Sequence, residues 1–243
     1  MSFINKLTFK FQNLFRFEKL NSNDFNLDEG IEVNFDNIEL FKNCIKNHEE
    51  LKEVIWIGIY HSLNTFNSDK EFLTVLNNDL LIIADLIEGD NTSVNIPDFV
   101  KKEIMDGNVL ATFHNHFNGA IIPSSKDIKN TMLPFIKFMV ITSKENIGII
   151  VNDNKNFDDD FINSFKQEWM FFLAFINWSF NNDMSDQIQE IYDLNLTKKE
   201  KQREEQILFD KYICTNINKF RMEFNSRMEK FNVYLLQIII MER

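Results

Sequence analysis

Two of the chain's four histidines stand one residue apart, as His114 and His116. At the end of a strand such a pair puts both imidazoles on one face, because strand side chains alternate with a period of two. Two converging neutral imidazoles suit Zn2+, which takes a third protein ligand and keeps a position open for water. The pattern continues as His114-x-His116-x7-Ser124-x2-Asp127. Asp127 then supplies a carboxylate from the first turn of a helix, and Ser124 points toward the same centre. Ser124-x-x-Asp127 is also close to a helix-capping pattern, and the two roles are compatible, since a helix start holds Asp127 rigidly. In a chain this poor in histidine, chance would produce the four-residue pattern with a probability on the order of 10⁻⁴.

A hydrolytic zinc site also needs a base to take a proton from water. Glu53 heads an apolar stretch, 54–60, whose β-branched and aromatic residues read as a buried strand, and it is the leading candidate. Glu49 and Glu50 lie only one helical turn earlier, so spacing alone leaves the choice among the three open.

The elements that must position these groups are set by periodicity and punctuation. A strand is expected at 31–34, then a helix capped by Asp36 and running to about His48. Strands are expected at 72–76, 80–86, 109–113, 138–142 and 147–151. A short helix opened by Pro97 covers 98–105, and a second helix covers 125–133, after the histidine loop. The chain holds six glycines and three prolines, all between Gly30 and Gly148. The stretch beyond residue 153 therefore reads as helical: Phe161, Phe165, Trp169, Phe172 and Ile176 form one apolar stripe, and Ile213, Ile217, Phe220, Phe224, Phe231 and Leu235 a second, joined by a charged crossing from 183 to 206. The division is a leader at 1–29, a sheet domain at 30–153 and a helical extension at 154–243.

At the histidine motif the chain resembles the JAB/MPN (JAMM) zinc metalloproteases. The wording His114-Asn115-His116-Phe117-Asn118-Gly119, with Pro123-Ser124 and Asp127-Ile128, is most similar to the RadC branch of that superfamily. The resemblance covers roughly residues 30–153, and it implies an α/β fold: a JAB/MPN-like (cytidine-deaminase-like) mixed sheet flanked by helices, here with an all-α C-terminal extension. It implies that His114, His116 and Asp127 ligate Zn2+, that Glu53 is general base and proton shuttle, and that Ser124 stabilises the oxyanion. The activity it implies is hydrolysis of an amide or isopeptide bond in a protein substrate, including ubiquitin-like conjugates. Two departures stand out: Phe117 replaces the proline usual after the second histidine, and Trp56 and Tyr60 occupy positions where small glycines are common.

Bulk composition sets the surroundings. The net charge of −11 argues against nucleic acid as a partner, since non-specific affinity comes from Lys and Arg neutralising phosphates. The two cysteines, Cys44 and Cys214, are too few for a disulfide framework and read as free thiols in a reducing cytoplasm. No secretory signal is visible in the first twenty residues, which could form a basic amphipathic helix. The most apolar stretch, 169–178, is too short to span a bilayer. The second stripe permits partner binding or self-association through the helical tail, and equally permits packing on the first stripe. The alternative to an enzyme is a catalytically silent JAB-fold scaffold, or a RadC-like protein, acting through that tail and its partners. Acidic 158–160 reads as a helix N-terminus, not a metal cluster, and His48 and His61 as structural or surface residues.

Overall fold

A computed structural model describes residues 26–27, 31–36, 38–65, 67–91, 93–116, 120–123, 136–153 and 158–242. In chain order these form β1 (Asn26–Leu27), β2 (Ile31–Asp36), α1 (Ile38–Asn47), α2 (Leu51–Thr65), β3 (Phe72–Asn77), β4 (Ile82–Glu88), α3 (Asp98–Met105), β5 (Val109–Asn115), β6 (Phe138–Thr142) and β7 (Asn146–Asn152). Next come α4 (Asp159–Asp183), α5 (Ser185–Asp193), α6 (Lys198–Thr215), α7 (Ile217–Met228), a 3₁₀ turn (Glu229–Phe231) and β8 (Val233–Glu242). The strands make one mixed sheet of eight, ordered β1-β2-β8-β7-β6-β5-β3-β4. Only β5 and β6 run parallel.

Two expectations are corrected. The stretch 54–60 is not a strand but the middle of α2. Its buried residues, Leu51, Val54, Ile55, Gly58, Ile59, His61, Ser62 and Thr65, keep helical spacing, while Trp56, Ile57 and Leu63 also pack against the core. A helix that is apolar nearly all round loses the one-sided stripe that distinguishes it from a buried strand. Gly58 lets it ride low over the sheet: a Cβ there would lie 3.3 Å from Val140 Cγ1 and 3.5 Å from Ile147 Cγ2.

The second correction concerns the tail, which is helical through Met228 but not all-α. Beyond the 3₁₀ turn, Asn232 takes a left-handed φ of 53° and the chain enters β8, which pairs with β7 on one side and β2 on the other. Phe231 and Leu235 thus leave the helical stripe, and a strand from the last ten described residues sits inside the sheet. The expected crossing at 183–206 is itself mostly helix, with Thr197 and Glu200 forming a reciprocal capping box at the start of α6.

Each sheet face has its own core. On one side α2 packs over β5, β6 and β7 through Val54, Ile55, Phe113, Val140 and Ile149. On the other, α4 and α7 bring Phe165, Trp169, Phe172, Phe220 and Phe224 onto Met139, Ile150 and Leu235. The two expected stripes therefore pack on one another within the chain: Phe224 meets Trp169 edge-on with ring centroids 5.5 Å apart and Phe172 at 5.3 Å. Asp158 caps α4, accepting from the Phe161 N–H at 2.8 Å, as its acidic start implied. At the β3–β4 end, α3 closes a smaller cluster with Val100 and Ile104 against Leu73, Val75 and Ala84. Among the described residues no helix is long and apolar enough to cross a membrane.

Candidate metal centre

Strand β5 delivers the histidines. Its residues Val109 to Phe113 are buried between β3 and β6, so the strand is fixed on both sides before it reaches the motif. His114 still pairs with Leu73 of β3 and Ile141 of β6. His116 lies one step beyond the strand, and its N–H donates to the Thr142 carbonyl at 2.8 Å. The two imidazoles come together as the alternation requires, with ring centroids 5.0 Å apart and planes at 61°.

The ring of His116 is further defined. Its Nδ1 lies 2.7 Å from the Ala120 carbonyl oxygen. A carbonyl can only accept, so Nδ1 carries the hydrogen and Nε2 of the neutral ring keeps its lone pair. That carbonyl is fixed in turn, because the loop 120–123 is buried against the sheet. Gly148 of β7 makes room for it: a Cβ at 148 would lie 2.8 Å from the Ile121 carbonyl oxygen and 3.0 Å from Ile121 Cβ.

Behind the pair sits His61, wholly buried on α2. Its Nδ1 is 2.9 Å from Thr142 Oγ1, and its neighbour Ser62 donates to the Ser143 carbonyl at 2.9 Å. Helix α2 thereby holds the end of β6 on which the His116 backbone rests. Burial, reinforced by the nearby His114 imidazole and opposed by the Phe72 backbone, pushes the His61 pKa down to about 3. His48 is also buried, with Nε2 3.2 Å from Asp153 Oδ1, and burial is the chief cause of its lowered pKa. Both are structural histidines.

The remaining expected site residues fall in two groups. Ser124 and Asp127 lie outside the described residues, as do Phe117 and the expected helix at 125–133. Glu53 is described, and it is exposed in the first turn of α2 rather than heading a strand. It precedes His61 by eight residues, roughly 12 Å of helix axis. The α2 N-terminus adjoins the other end of the sheet, where Glu50 meets Lys137 at 3.2 Å. Glu53 thus sits in the first turn of α2, well before the His61 turn that lies near His114. Glu49 and Glu50 lie still farther from His61 along the chain. Trp56 and Tyr60 sit half-buried on α2; Trp56 packs against the core and Tyr60 donates to Asp85 at 3.2 Å.

A second carboxylate, which spacing did not single out, directly precedes the strand that pairs with His114. Glu71 immediately precedes β3, the antiparallel neighbour of β5. The paired register of β3 and β5 ends at Leu73–His114; Glu71 lies two residues before Leu73, so strand alternation puts its side chain on the same face as Leu73 and His114. Glu71 is half-buried, and its backbone is held on both sides: its N–H donates to the Asp90 carbonyl and its carbonyl accepts from Gly89, both at 2.8 Å. The available signal was a glutamate heading a strand. Applied to 72–76, also expected as a strand, it selects Glu71 as readily as it selects Glu53 before 54–60.

No group of three His, Cys, Asp or Glu side chains able to hold a metal occurs among the described residues, a set that does not include Asp127. The chain matches no protein-family model, and neither the curated proteins nor the solved structures compared with it include a match.

Proposed function

We propose that the chain is a zinc-dependent metallopeptidase or isopeptidase of the JAB/MPN type, with His114, His116 and Asp127 as the metal ligands. The observation that carries this reading is the His116 ring. A ligating imidazole characteristically donates its second N–H to a carbonyl or carboxylate, which fixes the tautomer and aims the other nitrogen at the metal. His116 has that arrangement through Ala120, with the His114 ring beside it. Bound there, Zn2+ would supply the Lewis acidity that lets water act as a nucleophile near neutral pH.

The role of general base goes to Glu71 in this reading, not to Glu53. From the segment that leads into β3 beside β5, Glu71 takes a proton from the attacking water and returns it to the departing nitrogen of the amide or isopeptide. Ser124 donates to the oxyanion that forms at the attacked carbonyl. The substrate is a protein, with ubiquitin-like conjugates the class to try first. The free thiols of Cys44 and Cys214 favour a reducing compartment such as the cytoplasm; burial and the Asp153 carboxylate push Cys44 up to about 11, which makes it a poor nucleophile.

One observation favours a second reading, a binding module without catalysis. Helix α4 exposes Met170, Phe171 and Trp178 on its outer side, and α7 exposes Met222. Cleavage of a ubiquitin-like fusion by the purified chain, abolished by Glu71→Gln, supports the enzyme. Zinc binding with no cleavage of any such fusion supports the scaffold.

A further inference from the structure

The strand that carries the histidines meets a geometric difficulty at its end. The paired register of β3 and β5 ends at Leu73–His114, and the His116 N–H donates to Thr142 of β6, so beyond His114 no ladder pair ties β5 to the segment that carries Glu71. The residue between the histidines resolves this. Asn115 is buried, and its side-chain amide, not its peptide, bonds to the neighbouring segment. The Phe72 N–H donates to Asn115 Oδ1 at 2.6 Å, and Asn115 Nδ2 donates to the Lys70 carbonyl at 2.8 Å. A carboxamide offers one acceptor and two donors on one short stem, so it reproduces the C=O and N–H pair that a strand residue presents to its neighbour. The two peptide groups it holds are those on either side of Glu71.

We propose that Asn115 is a positioning residue, whose side-chain amide locks Glu71 in register with the His114–His116 pair. The proposal rests on the reading of Glu71 as the base of the metal centre. Together with the Asp90 carbonyl and the Gly89 N–H, Asn115 leaves the backbone around Glu71 held on both edges. Other side chains fail for definite reasons. Aspartate keeps the acceptor for Phe72 but turns a second acceptor on the Lys70 carbonyl. Leucine has nearly the same shape and offers neither bond. Serine is too short to span both groups.

The test uses the full chain loaded with Co2+, whose visible absorption reports the ligand field, in five forms: wild type, Asn115→Leu, Asn115→Asp, Glu71→Gln, and Asn115→Leu with Glu71→Gln. Asn115→Leu is expected to bind one equivalent of Co2+ yet show the visible spectrum of Glu71→Gln. Adding Asn115→Leu to Glu71→Gln should then change nothing further, because the amide acts through Glu71. Hydrogen exchange at the Phe72 amide should be about tenfold faster in Asn115→Leu. Should that variant fail to fold, Asn115→Asp serves, with an expected spectrum between wild type and Glu71→Gln. The proposal is overturned if the Asn115 variants keep the wild-type spectrum, or if Asn115→Leu shifts it equally with and without Glu71. A wild-type chain that binds no Co2+ overturns the metal centre itself, and this proposal with it. A Glu71→Gln spectrum identical to wild type removes Glu71 alone, leaves the metal centre standing, and also ends the role given to Asn115.

Discussion

The sheet is finished differently on its helical face and at the end that carries the histidines. Under α4 and α7, Phe165, Trp169, Phe172 and Phe224 meet edge to face, Phe220 meets Phe175 and Tyr212 in the same way, and the layer is held by area and shape. At the ends of β5 and β6, buried polar groups take over: His61 on Thr142, Ser62 on Ser143, Asn115 on Lys70 and Phe72, and His116 on Ala120. An apolar layer tolerates small shifts, because dispersion and burial have little direction. A hydrogen-bonded web does not, since each broken bond strands a buried group at about 1–3 kcal/mol. The lesson is a division of labour: the aromatic face supplies stability, and the polar end fixes orientation.

That division can be broken from either side. The largest stability loss should come from the aromatic face. Phe224→Ala, at the centre of the Trp169 and Phe172 contacts, should cost about 3–5 kcal/mol in denaturant unfolding. It should leave the metal stoichiometry of the protein that remains folded unchanged; a lost metal would mean that the two regions are not separable.

Gly148→Ala should act in the opposite sense. The added Cβ meets the Ile121 backbone, so the loop must shift and carry the Ala120 carbonyl away from His116. Overpacking of this kind should cost about 1–3 kcal/mol. Metal affinity, measured by competition with a chelator, should fall about 10–100-fold, the size of effect expected when a ligand's orienting partner is lost. Equal affinity in wild type and variant would show that the loop does not orient the ring.

Acid sensitivity belongs to the polar end as well. His61 and His48 are harder to protonate in the fold than in the unfolded chain, so unfolding takes up protons once the pH falls below about 6.5. Stability contributed by the neutral His61 is complete above that pH and is lost as the pH falls toward its folded value of about 3, at about 1.4 kcal/mol per pH unit. His61→Gln should flatten this limb in urea unfolding between pH 7 and pH 5; an unchanged slope would place the sensitivity elsewhere. The smallest effect is expected at exposed Trp178, where Ala should alter stability by no more than about 0.5 kcal/mol.

Legibility in the sequence obeys the same physics. Strands with a defined period and turn residues at their ends, such as β3, β5, β6 and β7, were readable, and so was the convergence of His114 and His116, because a period of two is a strict geometric rule. Helix α2 was not, since it is apolar on nearly every side and its Val54, Ile55, Ile57 and Ile59 suit a strand equally well, so Glu53 takes on the look of a glutamate heading a strand. Strand β8 was hidden because Phe231 and Leu235 continue the helical spacing of α7 by coincidence of four-residue steps. The bonds of Asn115 to Lys70 and Phe72 run across strands and depend on a register that only the assembled sheet defines. The Gly148 contact with Ile121 is likewise a property of packing, invisible in a glycine count.

The central claim is that His114 and His116 are metal ligands. Elemental analysis of the purified chain, with His114→Ala and His116→Ala prepared beside it, tests this most directly. The expected result is about one equivalent of zinc in the wild type and essentially none in either variant, with all three folded by circular dichroism. A folded wild-type chain that neither retains zinc nor takes it up on titration would contradict the account, as would variants that bind zinc as tightly as the wild type.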